Sequence, residues 1–324
     1  MAQPFYGPVE VDLSATDNDS AYGEELSSYT ESLRSSVLNY RQENGRLYQG
    51  YGDGTYLMPI DEPELCRLDL MHEMMLELMG GKLYHAPIEE SPQNILDLGT
   101  GTGIWAIDMA DKFPSAVVTG VDLSPSQPAF VPPNLRFIVE DMEDEWEYNN
   151  TFDFIHARYL ALSIRDFPTL IQRCYNHTTP GGWVEFQDWS FHQISQDGST
   201  NGTAIEQYYR VTTEAYAKAG YTVSPGPQLA QWFYQAGFQD IHVLKYVIPM
   251  GTWPKNEHLK SIGAWNALQA QSGFESAAIA VMTRFESWGS AQVKDLVQRT
   301  LNDVRNRSIH AIFDFYVVWG RKPG

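Results

Sequence analysis

Seven consecutive residues, Asp97-Leu98-Gly99-Thr100-Gly101-Thr102-Gly103, carry the densest chemical signal in this chain of 324 residues. Three alternate glycines let a backbone approach a ligand with no Cβ in the way, and a helix starting behind them offers unpaired N–H groups. Two cofactor classes use such a loop. Nicotinamide dinucleotides ask for G-x-G-x-x-G/A, which Gly101, Gly103 and Ala106 satisfy loosely. S-adenosylmethionine (SAM) asks for an acid followed by G-x-G-x-G, which Asp97, Gly99, Gly101 and Gly103 satisfy. Electrostatics separates the two. A pyrophosphate would meet the like charge of Asp97 two residues before the turn, whereas the sulfonium and ammonium of SAM would meet an opposite one. Asp122, in Gly120-Val121-Asp122-Leu123, can accept both ribose hydroxyls in either class. Asp141, in Glu140-Asp141-Met142, can accept the adenine amine while Met142 packs on the purine. A third acid at a third strand end fits SAM, not a dinucleotide, and a plain glycine turn would need none of them.

These positions require strands that end where the acids stand. Apolar runs predict strands over Asn94–Leu98, Ala116–Val121, Leu135–Val139, Phe152–His156 and Trp183–Gln187, then Ile241–Val247 and Ala311–Trp319. Helical spacing predicts helices over Glu62–Met79, Ile104–Lys112, Thr169–Tyr175, Thr203–Gly220 and Gln228–Ala236. The alternation specifies an α/β chain with a parallel sheet and helices on both faces. Residues 1–40 hold seven acids against one base and are expected to be mobile, with a helix starting near Glu24 and the first twenty residues dispensable for cofactor binding. Residues 41–93 are expected to form a helical lid. Residues 94–324 form the cofactor domain, with a helical insert over 250–307 between the last two strands. An insert that long is usually functional. Its Trp253, Trp265, Phe274, Met282, Phe285 and Trp288 either cap a flat acceptor or only pack the insert down. If it caps, its helices lie over the carboxyl edge of the sheet, with Gly101 and His192.

Composition excludes several functions. Lys plus Arg is 22 against 41 Asp plus Glu, a net charge of −19, and no basic patch offsets it, so nucleic acid is not an expected partner. Two cysteines, Cys66 and Cys174, make no disulfide framework, and no apolar run approaches a membrane span. A cytoplasmic protein is expected. Histidines and cysteines show no metal-ligand spacing, and neither a Gly-x-Ser-x-Gly nor a Walker motif occurs.

The run Ile95 to Trp105 resembles class I SAM-dependent methyltransferases. A wider set resembles their fungal LaeA-like branch: Gly120 to Pro128, Val131-Pro132-Pro133-Asn134, Phe152 to Arg158, Pro180-Gly181-Gly182-Trp183, and Asp61 to His72. The resemblance weakens past residue 200. It implies a Rossmann-like sheet of seven strands, the last antiparallel, with SAM at its carboxyl edge and no metal. Under it, Gly99, Thr100, Gly101 and Gly103 position the cofactor with Asp97, Asp122 holds the ribose, Asp141 and Met142 the adenine, and Leu123 also contacts the cofactor.

Other residues keep two readings each. Arg67, on the helix before the first strand, pairs the SAM carboxylate or is a surface arginine. Tyr48, Tyr51 and Tyr56 close over the site or simply pack. Ala157 and Arg158 follow the fourth strand and should line the transfer cleft. His156 is a base or a buried structural histidine. His192, after the fifth strand, is a candidate base for deprotonating a hydroxyl, although proximity alone can drive this reaction. The expected activity is O- or N-methyl transfer from SAM to a small secondary-metabolite acceptor. A nuclear regulator docking protein partners through the acidic amino-terminal segment, and a methyltransferase fold catalysing a rearrangement, are the alternatives.

Overall fold

The computed structural model describes residues 40–50 and 56–324; the acidic segment before them, the helix expected near Glu24 and Tyr51 lie outside the described residues. A hairpin opens the described chain, β1 (Arg41–Glu43) and β2 (Arg46–Tyr48). Its turn is Asn44-Gly45, both at positive φ (53° and 79°), the pairing a tight two-residue hairpin demands. Arg46 fastens the hairpin by donating from Nε and Nη2 to Asp61 at 2.6 and 2.7 Å. Asp61 is also the N-cap of α1 (Glu62–Leu78), accepting the Glu64 N–H, and Pro63 sits in the first turn where its missing N–H costs nothing.

Seven strands follow: β3 (Asn94–Leu98), β4 (Val117–Asp122), β5 (Leu135–Val139), β6 (Phe152–Arg158), β7 (Thr178–Ile194), β8 (Gln239–Pro249) and β9 (Ile312–Arg321). They form one sheet in the order β5-β4-β3-β6-β7-β9-β8. β9 runs antiparallel to both its neighbours, as the resemblance implies. The intervening helices are α2 (Ile104–Lys112), α3 (Phe167–His177), α4 (Ala204–Lys218) and α5 (Leu229–Ala236), then α6 (Glu257–Phe285) and α7 (Ser290–Arg305). One apolar core packs α2 against β3 and β4 through Trp105, Met109 and Val118. A second packs α3 and α5 on β6 and β7 through Phe167, Leu170, Phe186 and Phe233. The largest brings α1, α4, α6 and α7 together over β7 to β9.

Chain order reverses at β3, which pairs β4 on one side and β6 on the other. In an open parallel sheet the crevice above that reversal is where ligands bind. Asn134 braces its far side: Nδ2 donates to the carbonyls of Ala110, Phe113 and Ala116 at 3.0–3.1 Å, tying the entry to β5 onto the end of α2. Asn134→Ala removes this junction and should cost about 1–2 kcal/mol. Urea unfolding with an unchanged midpoint would show the junction carries no stability.

Candidate active site

The sheet register sets the chemistry at the reversal. Asp97 lies opposite His156 on the neighbouring strand, so Asp97 Oδ1 and His156 Nδ1 meet at 2.8 Å. Thr100 Oγ1 donates to the other oxygen at 2.6 Å. Asp97 is 3% exposed, so these two bonds fix its orientation. His156 is fully buried and stacks flat on Trp105, ring centroids 3.7 Å apart. Burial lowers its pKa despite the Asp97 carboxylate, which leaves a neutral ring donating from Nδ1. That arrangement orients Asp97.

The glycines divide their work. Gly99, Gly101 and Gly103 all hold positive φ, between 59° and 82°. A Cβ on Gly99 would fall 2.5 Å from Leu160 Cδ2, and one on Gly103 would enter the Phe137 ring. Those two permit close packing of the loop. On Gly101 a Cβ would meet only Leu68 at 3.5 Å, so this is the glycine whose backbone a ligand can approach. Gln127 holds the loop by donating from Nε2 to the Gly101 carbonyl at 2.7 Å.

Asp122 closes the other side. Its Oδ2 accepts the Gly101 N–H at 2.8 Å and its Oδ1 the Ser124 N–H at 2.9 Å. Each oxygen keeps a second lone pair, enough for two hydroxyl donors. Burial pushes the carboxyl up to about 6, against the pull of the two backbone N–H groups. Hydroxyl donors favour the ionised form. Affinity for S-adenosylhomocysteine should therefore be flat above about pH 7 and fall as pH drops through 6. Folding carries the opposite sign, because the native carboxyl takes up a proton between its ordinary 3.8 and about 6, so this group's contribution to stability declines as pH rises through that window. Calorimetric titrations giving one dissociation constant from pH 5 to 7 would detach Asp122 from the ligand.

Two cavities share the glycine loop as part of their lining. The smaller, about 60 Å³, runs between Asp97, Thr100 and Gly101 on one wall and Met71, His72 and Arg158 on the other. Arg158 Nη2 donates to His72 Nδ1 at 2.8 Å, so that nitrogen carries no proton and the opposite Nε2–H points to Asp108 at 3.0 Å. Arg158 Nη1 is buried without a partner. Burial brings its pKa down to about 10, still charged at neutral pH. Among the described residues this cation is incompletely paired.

The larger cavity, about 160 Å³, starts at Gly99, Gly101, Asp122, Leu123 and Met142 and extends into an aromatic chamber. Its floor is the loop after β6, where Tyr159 and Leu162 both adopt positive φ (67° and 68°), a costly conformation for side-chain-bearing residues that concentrates at working sites. Asp188 holds that loop, Oδ2 accepting the N–H groups of Leu160 and Ala161 at 2.9 and 3.0 Å. Trp189 and Phe191 from β7, Tyr208 and Tyr209 from α4, and Phe274 from α6 complete the walls. Thus α6, in the insert, lies over the same cavity as Gly101.

Several sequence candidates sit elsewhere. Arg67 is 2% exposed and engaged: Nη2 and Nε pair Glu64 at 2.6 and 3.0 Å, and Nη1 donates to Gln269 at 3.1 Å. It lines the aromatic chamber, not the pocket beside Asp97. His192 is exposed on the outgoing end of β7 and lines neither cavity. Asp141 sits in the turn after β5, its Oδ1 accepting the Glu143 N–H at 2.9 Å, behind the Met142 that does line the cleft. Ala157 is buried within β6 between Leu98 and Phe186. Tyr56 lines the chamber, whereas Tyr48 is core. Of the six insert aromatics and methionine, only Phe274 lines the chamber; Trp265 donates to Glu77 at 2.7 Å, Met282 is core and Phe285 faces solvent. The tyrosines of α4 and the Asn266–Gln269 pair of α6 were not anticipated. Their signal is polar groups recurring on an otherwise apolar helix face. Among the described residues no cluster of His, Cys, Asp and Glu could hold a metal, and no helix is long and apolar enough to cross a membrane.

The chain is similar to several known proteins. Phosphoethanolamine N-methyltransferase 2 of Haemonchus contortus, solved with SAM, superposes with a TM-score of 0.44 at 20% identity, over 80% of this chain and 52% of that one. A family model described as a methyltransferase domain matches residues 71–243, just over half the chain. Methyltransferase pytC of Aspergillus terreus is 38% identical over 317 residues, covering 97% of this chain and 96% of its own. Secondary metabolism regulator laeA of Monascus pilosus is 33% identical over 336 aligned positions, covering 99% and 91%. The chain belongs to the class I methyltransferases, in the LaeA-like fungal branch, and its cofactor is S-adenosylmethionine.

Proposed function

We propose that this protein transfers a methyl group to a small organic acceptor held in the aromatic chamber. The carrying observation is continuity: one cavity joins the glycine loop and Asp122 to walls built from Trp189, Tyr208, Tyr209 and Phe274. Pockets of this kind, apolar with a few convergent polar groups, suit small molecules. When bound, SAM supplies a methyl group activated by a sulfonium. The residues present fit that group. Asp122 would hold the ribose, Met142 and Leu123 the adenine, and the unpartnered Arg158 guanidinium the carboxylate, a part first assigned to Arg67. Asp97, held by Thr100 and His156, would face the ammonium. Tyr159 and Leu160, clamped by Asp188, would separate cofactor from acceptor and exclude water. No histidine is assigned as base in this reading.

The names of the laeA relatives favour a second reading, regulation through protein partners. One experiment divides the two. The full chain is incubated with methyl-labelled SAM and a lysate of a fungus related to its own relatives, then split into organic-soluble and protein fractions. Label in a small organic product supports transfer to a metabolite. Label in protein alone supports the regulator, and a new unlabelled product supports a rearrangement.

A further inference from the structure

The charges in the chamber wall speak to the acceptor atom. We propose that the acceptor is a flat conjugated molecule methylated at an ionised hydroxyl, a phenol or enol, and that basic amines are rejected. The proposal rests on the methyl-transfer reading above.

Three observations carry it. First, the wall holds two guanidinium groups in a chain of net charge −19: Arg158 at the cofactor end, where it would meet the cofactor carboxylate, and Arg67, paired with Glu64 behind the wall. The Glu64 that pairs Arg67 is not part of the lining, and the one carboxylate that is, Asp122, already holds two backbone N–H groups at the glycine loop. An ammonium acceptor would bury another positive charge with no free anion to meet it. An oxyanion would meet no free carboxylate to repel it.

Second, among the described residues the wall offers no base apart from Asp122, which the cofactor ribose would occupy. His156 sits behind the loop with its Nδ1 on Asp97, and His192 lies outside. Asp188 is occupied by three backbone N–H groups. An aliphatic alcohol or an ammonium needs a base to expose its lone pair. A phenol, with an ordinary pKa of about 10, can lose its proton to water before it enters.

Third, Trp189 is 3% exposed, lines the chamber, and its indole Nε1–H has no partner among the described residues. A buried donor without an acceptor is costly, so the site is matched to a ligand oxygen. Trp189 and Phe191 stack nearly parallel, 14° apart with centroids at 5.9 Å, which suits a planar neighbour. In the transfer, an oxyanion lone pair forms the new O–CH₃ bond as the C–S bond breaks onto sulfur. The oxyanion becomes a neutral ether, the sulfonium a neutral thioether, and the proton has already gone to water.

The test uses two probes with the same rings, naphthol and naphthylmethylamine, titrated calorimetrically into the full chain saturated with S-adenosylhomocysteine. Naphthol should bind at least about tenfold tighter, and tighter still as pH rises toward its own ionisation. Trp189→Phe should cost naphthol about tenfold in affinity and S-adenosylhomocysteine less than about twofold, since only the donor to the acceptor oxygen is lost. Equal or tighter binding of the amine overturns the proposal, and so does binding of neither probe by a chain that still takes S-adenosylhomocysteine. Failure to bind S-adenosylhomocysteine would instead remove the methyl-transfer reading itself.

Discussion

Replacing Asp122 with Ala should raise the dissociation constant for S-adenosylhomocysteine by between about fivefold and 150-fold. The range follows from about 1–3 kcal/mol for hydrogen bonds to a charged acceptor. Two losses combine. The ribose hydroxyls lose their acceptor, and the N–H groups of Gly101 and Ser124 lose the carboxylate that holds the glycine loop against β4. Asp122→Asn separates them, because its single carbonyl oxygen keeps part of the loop contact without a charge. The Asn variant should bind with intermediate affinity and lose the fall in affinity below pH 6. Methylthioadenosine, which has the nucleoside but no amino acid, should weaken by a similar factor in the Ala variant. A folded Asp122→Ala chain that binds both ligands normally would place the ribose elsewhere.

Most of what frames that site could be read in the sequence, because backbone pattern and acid placement are local signals. The predicted strand Asn94–Leu98 and helix Ile104–Lys112 coincide with β3 and α2. Strand β7 was predicted to stop at Gln187 and continues to Ile194, because β9 pairs its outgoing half through Ser190 and again at Ile194. That pairing is non-local, and it carries His192 along an exposed extension instead of into the cleft. The hairpin β1–β2 went unread for the opposite reason. Its Asn44-Gly45 turn is a strong signal, but three-residue strands leave too little alternation to register.

The acceptor chamber was much less legible. Arg67, expected to pair the SAM carboxylate or to lie on the surface, pairs Glu64 three residues earlier on α1, and the packing of α6 over α1 buries both. Gly273 permits that approach, since a Cβ there would stand 3.1 Å from Arg67 Cδ. The insert's tryptophans drew attention because they are large, yet Trp265 and Trp288 pack against the core and the chamber is walled by tyrosines from α4. Which face of a helix meets a cavity depends on the partner helix, and that partner lies far away in sequence.

Arg158 joins the legible and the illegible parts, and its replacement gives the second large effect. Its place at the end of β6 was readable; its partnership with His72 and its buried, unpartnered Nη1 were not. Arg158→Met keeps a long apolar stem and removes the charge. If the guanidinium holds the amino-acid carboxylate, the dissociation constant for S-adenosylhomocysteine should rise by about tenfold to 150-fold, from about 1.5–3 kcal/mol for a charged hydrogen bond. Methylthioadenosine lacks that carboxylate, so its affinity should stay within about twofold, unlike its response to Asp122→Ala. Stability should change less than in an ordinary buried-residue loss. The wild-type chain carries an incompletely paired charge, and removing it offsets the donor that His72 Nδ1 loses. The melting temperature should therefore shift by less than about 4 °C, the scale of 1 kcal/mol in a domain of this size. A variant that melts far lower would make Arg158 a structural ion, and one that binds both ligands as tightly as the wild type would leave the carboxylate to another cation.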